Sequence, residues 1–225
     1  MLTRSEEDHL KAVHSLSAGG KAFTKDIAER LGTKASSVTV MLKKLAEKGL
    51  VKHQPYYGAK VTAKGETHAL RLVRKHRLWE TFLVDHLGFG WDEVHEIAEQ
   101  LEHIASEKLV DKLDAYLSHP DFDPHGDPIP DKHGRVPVRT ARPLIACTVG
   151  EHVEVLAVTG SSDQLLQLLD EKGIAIGNTY AVRARLAFDG SLELVDKTGA
   201  MCSLSVQVAE HLLVGSTAVK APTRS

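Results

Sequence analysis

Cysteine is nearly absent. Cys147 and Cys202 are the only two in 225 residues, too few for a disulfide framework or a thiolate metal cluster. No apolar run approaches the ~20 residues of a membrane helix, and no N-terminal stretch reads as a secretory signal. A cytoplasmic chain without a membrane partner is the expectation. Proline is scarce outside one stretch: six of the eight prolines fall between Pro120 and Pro143. That stretch reads as a linker, since proline fixes φ and removes backbone donors. Acidic residues are sparse in the first third, where residues 1–77 hold 16 Lys/Arg against 7 Asp/Glu. The remainder holds 12 against 23, so a polyanionic partner is expected for the N-terminal part alone.

What is present before the prolines is mostly helical. A helix from about Ser5 to Ser17 is ended by Gly19-Gly20. Thr24 is expected to cap "KDIAERL", and Thr33 to cap "ASSVTVMLKKLAEKG", where Val38, Leu42 and Leu45 recur at helical spacing. "LVKHQPYYGAKVTAKG" then gives two extended runs around a turn at Gly58. Helix, helix, tight turn, helix and hairpin make up a winged helix-turn-helix. In that layout Lys34, Ala35, Ser36, Ser37 and Thr39 face base edges at the start of the third helix. Lys43, Lys44, Lys52 and Lys60 meet phosphates, and Tyr56 and Tyr57 occupy the wing tip. After the prolines, "HVEVLAV", "TYAVRARLAF" and "SLELV" alternate as strands, with one helix in "SSDQLLQLLDEKG" and a turn at Asp189-Gly190. The class is α+β multidomain: winged helix 1–73, helical domain 74–119, linker 120–143 and a small β-barrel 144–220.

Two stretches carry metal-capable side chains. On a helix expected over 92–117, His95, Glu99, Glu102 and His103 fall within an arc of about 100°. Upstream, His76 and Glu80 sit inside the apolar stripe of Leu72, Val73, Leu83 and Leu87. A carboxylate turned toward a core needs a partner. A divalent cation satisfies Glu80, and so does Arg74 or Arg77. "HEIAE" lacks the second histidine of the zinc-protease pattern, and the expected helix has no Glu-x-x-His, so enzyme chemistry is weakly supported.

With "RKHRLWE" (74–80), "VHEIAEQLEH" (94–103) and "HGDPIP" (125–130) in this order behind a winged helix, the chain resembles the diphtheria-toxin-repressor and manganese-transport-regulator family. The resemblance implies a metal-activated, dimeric transcriptional repressor of palindromic double-stranded operators, with a C-terminal SH3-like domain. It implies a primary site of Asp8, Glu99, Glu102 and His103. A second site would use His76, Glu80 and His95, with Ser161, Asp163 and Gln164 near its C-terminal contribution. Asp123 and His125 form a further ligand pair in some manganese-sensing members. The iron-sensing branch has a thioether and a thiol where this chain has Asp8 and Glu99, so Mn²⁺ is the expected effector and Fe²⁺ the alternative. Short manganese regulators place a glutamate where Lys11 stands, so two separated sites are expected in place of a paired-ion site. Ser5-x-x-Asp8 could instead cap the first helix, although Thr3 and Glu6 suffice for that. A rival from another class is a metal-buffering protein whose winged helix makes protein contacts.

Overall fold

The computed structural model describes residues 2–54, 57–160 and 162–217. Tyr56 and Ser161 lie outside them. The chain forms two compact units, the first of Met1–Trp79, Ile97–Pro120 and Ile129–Val136, the second of Glu80–Glu96, Asp121–Pro128 and Pro137–Ser225. The proline-rich stretch expected as a linker is thus divided between them, and it buries Asp123, His125 and Ile129. Among the described residues no helix is long and apolar enough to cross a membrane.

In the first unit, α1 (Arg4–Ser17) begins with a reciprocal cap: the Thr3 hydroxyl accepts from Glu6 N–H, and the Glu6 carboxylate accepts from Thr3 N–H. Asp8 is therefore not the capping residue. Next come α2 (Thr24–Arg30) and α3 (Ala35–Glu47), neither with a side-chain cap. Thr24 is already helical, and Lys34 directly precedes α3, so the capping roles expected of Thr24 and Thr33 are corrected. Strands β1 (Val51–Gln54) and β2 (Gly58–Val61) pair antiparallel, with Lys52 opposite Lys60. Leu10, Val13, Ile27, Val38, Leu42 and Leu45 are fully buried between these elements. Each contributes about 1.5–3 kcal/mol by leaving water.

The long helix α4 (Ala63–Leu87) starts against this core through Gly65, where a Cβ would collide with the Leu50 carbonyl. The single helix expected over 92–117 is instead two, α5 (Val94–Leu101) and α6 (Glu107–Tyr116). The reason is local: the Ser106 hydroxyl accepts from Leu109 N–H and starts a new helix. Glu102 and His103 consequently lie in the turn that ends α5.

The second unit holds β3 (Arg142–Pro143), β4 (His152–Val158), α7 (Asp163–Glu171), β5 (Thr179–Arg185), β6 (Leu192–Asp196), β7 (Met201–Leu204), α8 (Val206–His211) and β8 (Leu212–Ser216). The strands form one SH3-like antiparallel sheet in the order β3-β8-β4-β5-β6-β7. Irregularities at Val155/Ala157 and Val182/Ala184 bend it. Its core contains Val153, Val155, Leu166, Leu169, Leu192, Leu194 and Leu212.

Candidate metal centres and nucleic-acid interface

The first group of ligand-type side chains lies within the first unit. Asp8 comes from α1, Glu102 and His103 from the turn after α5, and their ligand atoms all lie within 4.8 Å of one another. His103 Nε2 is 3.0 Å from Asp8 Oδ1, and its Nδ1 is 2.7 Å from Glu7 Oε2. Glu102 is 1% exposed and is held by Lys11 Nζ at 2.5 Å and His76 Nδ1 at 2.6 Å. Burial pushes the Glu102 carboxyl up, but the His76 hydrogen bond and the Lys11 charge outweigh it and hold its pKa below the ordinary range. Asp8 goes the other way. Burial raises its pKa, the Glu102 and Glu99 charges add to the rise, and His103 and Arg4 only partly oppose it. Two carboxylates and an imidazole, one carboxylate being disfavoured as an anion, suit a hard divalent cation. Glu99 is exposed on α5 and stands outside this three-residue group, although its charge reaches Asp8. Glu7 and Lys11 were not anticipated as members. Their signal was helical spacing: Glu7 adjoins Asp8, and Lys11 lies one turn on.

The second group lies within the second unit. Glu80, Asp123 and His125 are all buried, with ligand atoms within 4.8 Å of one another. Glu80 Oε2 is 3.9 Å from His125 Nδ1, and Glu80 Oε1 is 3.2 Å from Nδ1 of the more exposed His95. Asp123 and His125 are held by their own loop. Asp123 Oδ1 accepts from the backbone N–H of His125 and of Asp127, both at 2.9 Å, and the His125 carbonyl accepts from Val158 N–H. Gly126 has φ +83°, and a Cβ there would collide with the Leu156 carbonyl of β4. Arg139 covers the Phe122 ring at 3.9 Å and donates to the Gly126 and Leu156 carbonyls.

Arg74, one of the two cations considered for Glu80, is committed elsewhere, to Asp114 at 3.1 Å and to the Pro130 carbonyl. His76 precedes Glu80 by one turn of α4 and is engaged with Glu102. Asp163 and Gln164 are exposed in the first turn of α7, and among the described residues Asp163 joins neither group. The residues of α7 that do reach the 90–93 turn are Gln167 and Asp170.

On the winged-helix face, Lys34, Ala35, Ser36 and Ser37 are exposed around the start of α3, as are Lys43 and Lys44 farther along. The Thr39 hydroxyl donates to the Ala35 carbonyl, which leaves its oxygen lone pairs outward as acceptors. Val40 is 56% exposed and adds an apolar group to this face, one that the helical spacing of Val38, Leu42 and Leu45 leaves outside the core. Tyr57 is exposed beneath Lys21, whose ammonium is 5.6 Å from the ring centre. The two facing lysines, 52 and 60, are both exposed. Like charges directly opposite one another destabilise a hairpin, and a polyanion relieves them.

Residues 1–59 match the iron-dependent repressor N-terminal DNA-binding domain, and residues 62–131 match its metal-binding and dimerisation domain. The chain belongs to the iron-dependent repressor family. This is a family of DNA-binding, metal-dependent transcription regulators, not of enzymes. Residues 142–215 match the FeoA domain. The iron-dependent repressor IdeR of Mycobacterium tuberculosis is 34% identical over 130 residues, which are 57% of this chain and 56% of that protein. The chain thus spans about half of such curated relatives. The transcriptional regulator MntR of Lysinibacillus sphaericus is 38% identical over 114 residues, 50% of this chain and 81% of that one. A solved manganese-dependent transcriptional repressor in complex with manganese superposes with a TM-score of 0.85 at 39% identity, covering 94% of this chain and 99% of the other.

Proposed function

We propose that this member of the iron-dependent repressor family is a homodimeric repressor activated by Mn²⁺ that binds palindromic double-stranded operators. The observation that carries the reading is the group of Asp8, Glu102 and His103, because it joins a helix of the DNA-binding element to the turn after α5. A divalent cation held there supplies the positive charge that Asp8, Glu99 and Glu102 lack among themselves. Asp8 then ties α1 to Glu102 and His103, and the recognition helix α3 is held through the core that Leu10 and Val13 of α1 share with Val38 and Leu42. The equilibrium between loosely and firmly tied α1 shifts to the second, which raises operator affinity. Two-fold symmetry of the dimer makes the operator palindromic.

His76, Glu80 and His95, with Asp123 and His125, are proposed for the second site. Glu80 is its shared member, since both His95 and His125 face it. Lys34, Ser36, Ser37, Thr39 and Val40 would face bases, and Lys43, Lys44, Lys52 and Lys60 phosphates. Hard oxygen donors at Asp8 and Glu102 favour Mn²⁺. Fe²⁺ is the second reading, supported by the likeness to IdeR.

The test is operator binding by the purified full chain, titrated anaerobically with Mn²⁺, Fe²⁺ and Zn²⁺. Tightest activation by Mn²⁺ at the lowest concentration is expected. Operator binding indifferent to every metal would overturn the reading and favour metal buffering.

A further inference from the structure

His125 stands in a setting that reaches beyond its fellow ligands. Its Nε2 lies 2.7 Å from the Trp91 backbone carbonyl. A carbonyl only accepts, so Nε2 carries the proton, and the neutral ring must present its lone pair at Nδ1. That nitrogen is the one facing Glu80, at 3.9 Å. The Trp91 ring also stacks on the imidazole, with centroids 6.1 Å apart and planes 10° from parallel. Trp91 is in turn held by the sheet domain: its indole Nε1–H donates to Asp170 Oδ2 of α7 at 2.9 Å. A second bond one turn earlier, from Gln167 Nε2 to Asp92 Oδ2 at 3.0 Å, fastens the same turn. The fully buried core residues from α7 are Leu166 and Leu169, and Trp91 packs against the edge of that core together with Leu165 and Leu168, so phenylalanine at position 91 keeps most of the apolar contact while losing the indole donor.

We infer that Trp91, set by Asp170 and Gln167 of α7, is a positioning residue that fixes the tautomer and plane of His125 for cation binding at the Glu80–Asp123–His125 group. The FeoA-type domain would thereby tune the second site while donating no ligand from α7. The inference rests on the proposed function only in taking this group as a metal site. Hydrogen-bond partners of ligating histidines typically change metal affinity 10–100-fold when removed.

The test uses the full chain stripped of metal by chelation, in a Trp79→Phe background that leaves Trp91 as the only tryptophan. Mn²⁺ is titrated while Trp91 emission and bound Mn²⁺ are followed together. In this background emission should change as the second site fills. Trp91→Phe keeps the carbonyl and an aromatic stack but loses the indole donor, so its binding is read from bound Mn²⁺ alone. Trp91→Phe, Asp170→Leu and Gln167→Ala should each weaken the second site, the first two about tenfold or more. The Trp91→Phe/Asp170→Leu double variant should be no weaker than either single one, because both remove one bond. Affinity of the first site and thermal unfolding of the metal-free protein should stay near the parent. Unchanged second-site affinity in Trp91→Phe and Gln167→Ala would overturn the inference. So would additive losses matched by falling thermal stability, the mark of a merely structural role. If His125→Ala and Glu80→Gln leave the number of bound ions unchanged, the metal-site reading itself fails, and the positioning role fails with it.

Discussion

Asp8, Glu102 and His103 are borne by elements far apart in sequence, and their central carboxylate already has a cation from the chain, Lys11 at 2.5 Å. Glu80, Asp123 and His125 differ: all three are buried, and the loop 121–128 fixes two of them through backbone hydrogen bonds. In the first group Asp8 keeps 36% of its side chain exposed. The contrast is between a latch, whose parts can separate at modest cost, and a cradle shaped by its own backbone. A latch converts occupancy into a change of state, and a cradle mainly holds. On the proposed reading the first group would regulate, and the second would stabilise and tune.

The largest effect is expected at the cradle. Gly126→Ala puts a Cβ into the Leu156 carbonyl at a φ of +83°, and should destabilise the protein by several kcal/mol. A thermal melt within a degree or two of the parent would show that the loop yields and is no cradle.

At the latch, Glu102→Gln should abolish Mn²⁺-dependent operator binding and lower metal-free stability by about 3 kcal/mol, since it breaks a buried ionic group. Because the Glu102 pKa is depressed, its contribution exists above the ordinary carboxylate pKa and disappears as pH falls through the folded value. Chemical denaturation between about pH 6 and 3 should therefore lose part of its acid sensitivity in the variant. A parent-like Mn²⁺ response would remove Glu102 from the site.

Asp8→Asn separates the groups further. The Asp8 pKa is raised, so its ionisation opposes folding at neutral pH, and the amide should leave metal-free stability unchanged or slightly higher. Cation affinity at this site should fall more than tenfold, whereas Asp123→Asn, which keeps the carbonyl oxygen that its loop uses, should weaken only the other site. In the parent, first-site affinity should decline as pH falls through the raised Asp8 value. Calorimetric titration of both variants measures each claim, and equal loss at both sites would erase the distinction.

The smallest effect is expected on the winged-helix face. Lys43→Ala and Lys60→Ala should each weaken binding to all DNA and lower the salt slope by about one, leaving sequence preference intact. A change of preference in either would misplace the recognition helix.

How far the chain could be read in advance follows from the range of each signal. The winged helix was legible because its periodicities are local: Val38, Leu42 and Leu45 are all fully buried. The break between α5 and α6 was not, since Ser106 outcompetes helix continuation by one hydrogen bond that composition does not reveal. His76 and Glu80 stood out as polar residues in an apolar stripe, and both are buried. Their partners were harder to foresee. Lys11 meets Glu102 across 91 residues and Trp91 meets Asp170 across 79, separations that no spacing rule covers. Asp123 and His125 had the look of an ordinary polar linker, and only the backbone fold of their loop turns them inward.

The facing pair Lys52 and Lys60 bears on how such a protein would find its target. Two ammonium groups held across one hairpin repel each other in the unbound chain, and that repulsion falls beside any phosphate backbone, whatever its bases. A wing that contacts DNA as proposed would therefore reward contact before recognition and favour sliding along DNA over repeated three-dimensional encounters. Side chains blind to sequence would govern how fast the sequence is found, and raised salt would slow the search before it impaired the choice.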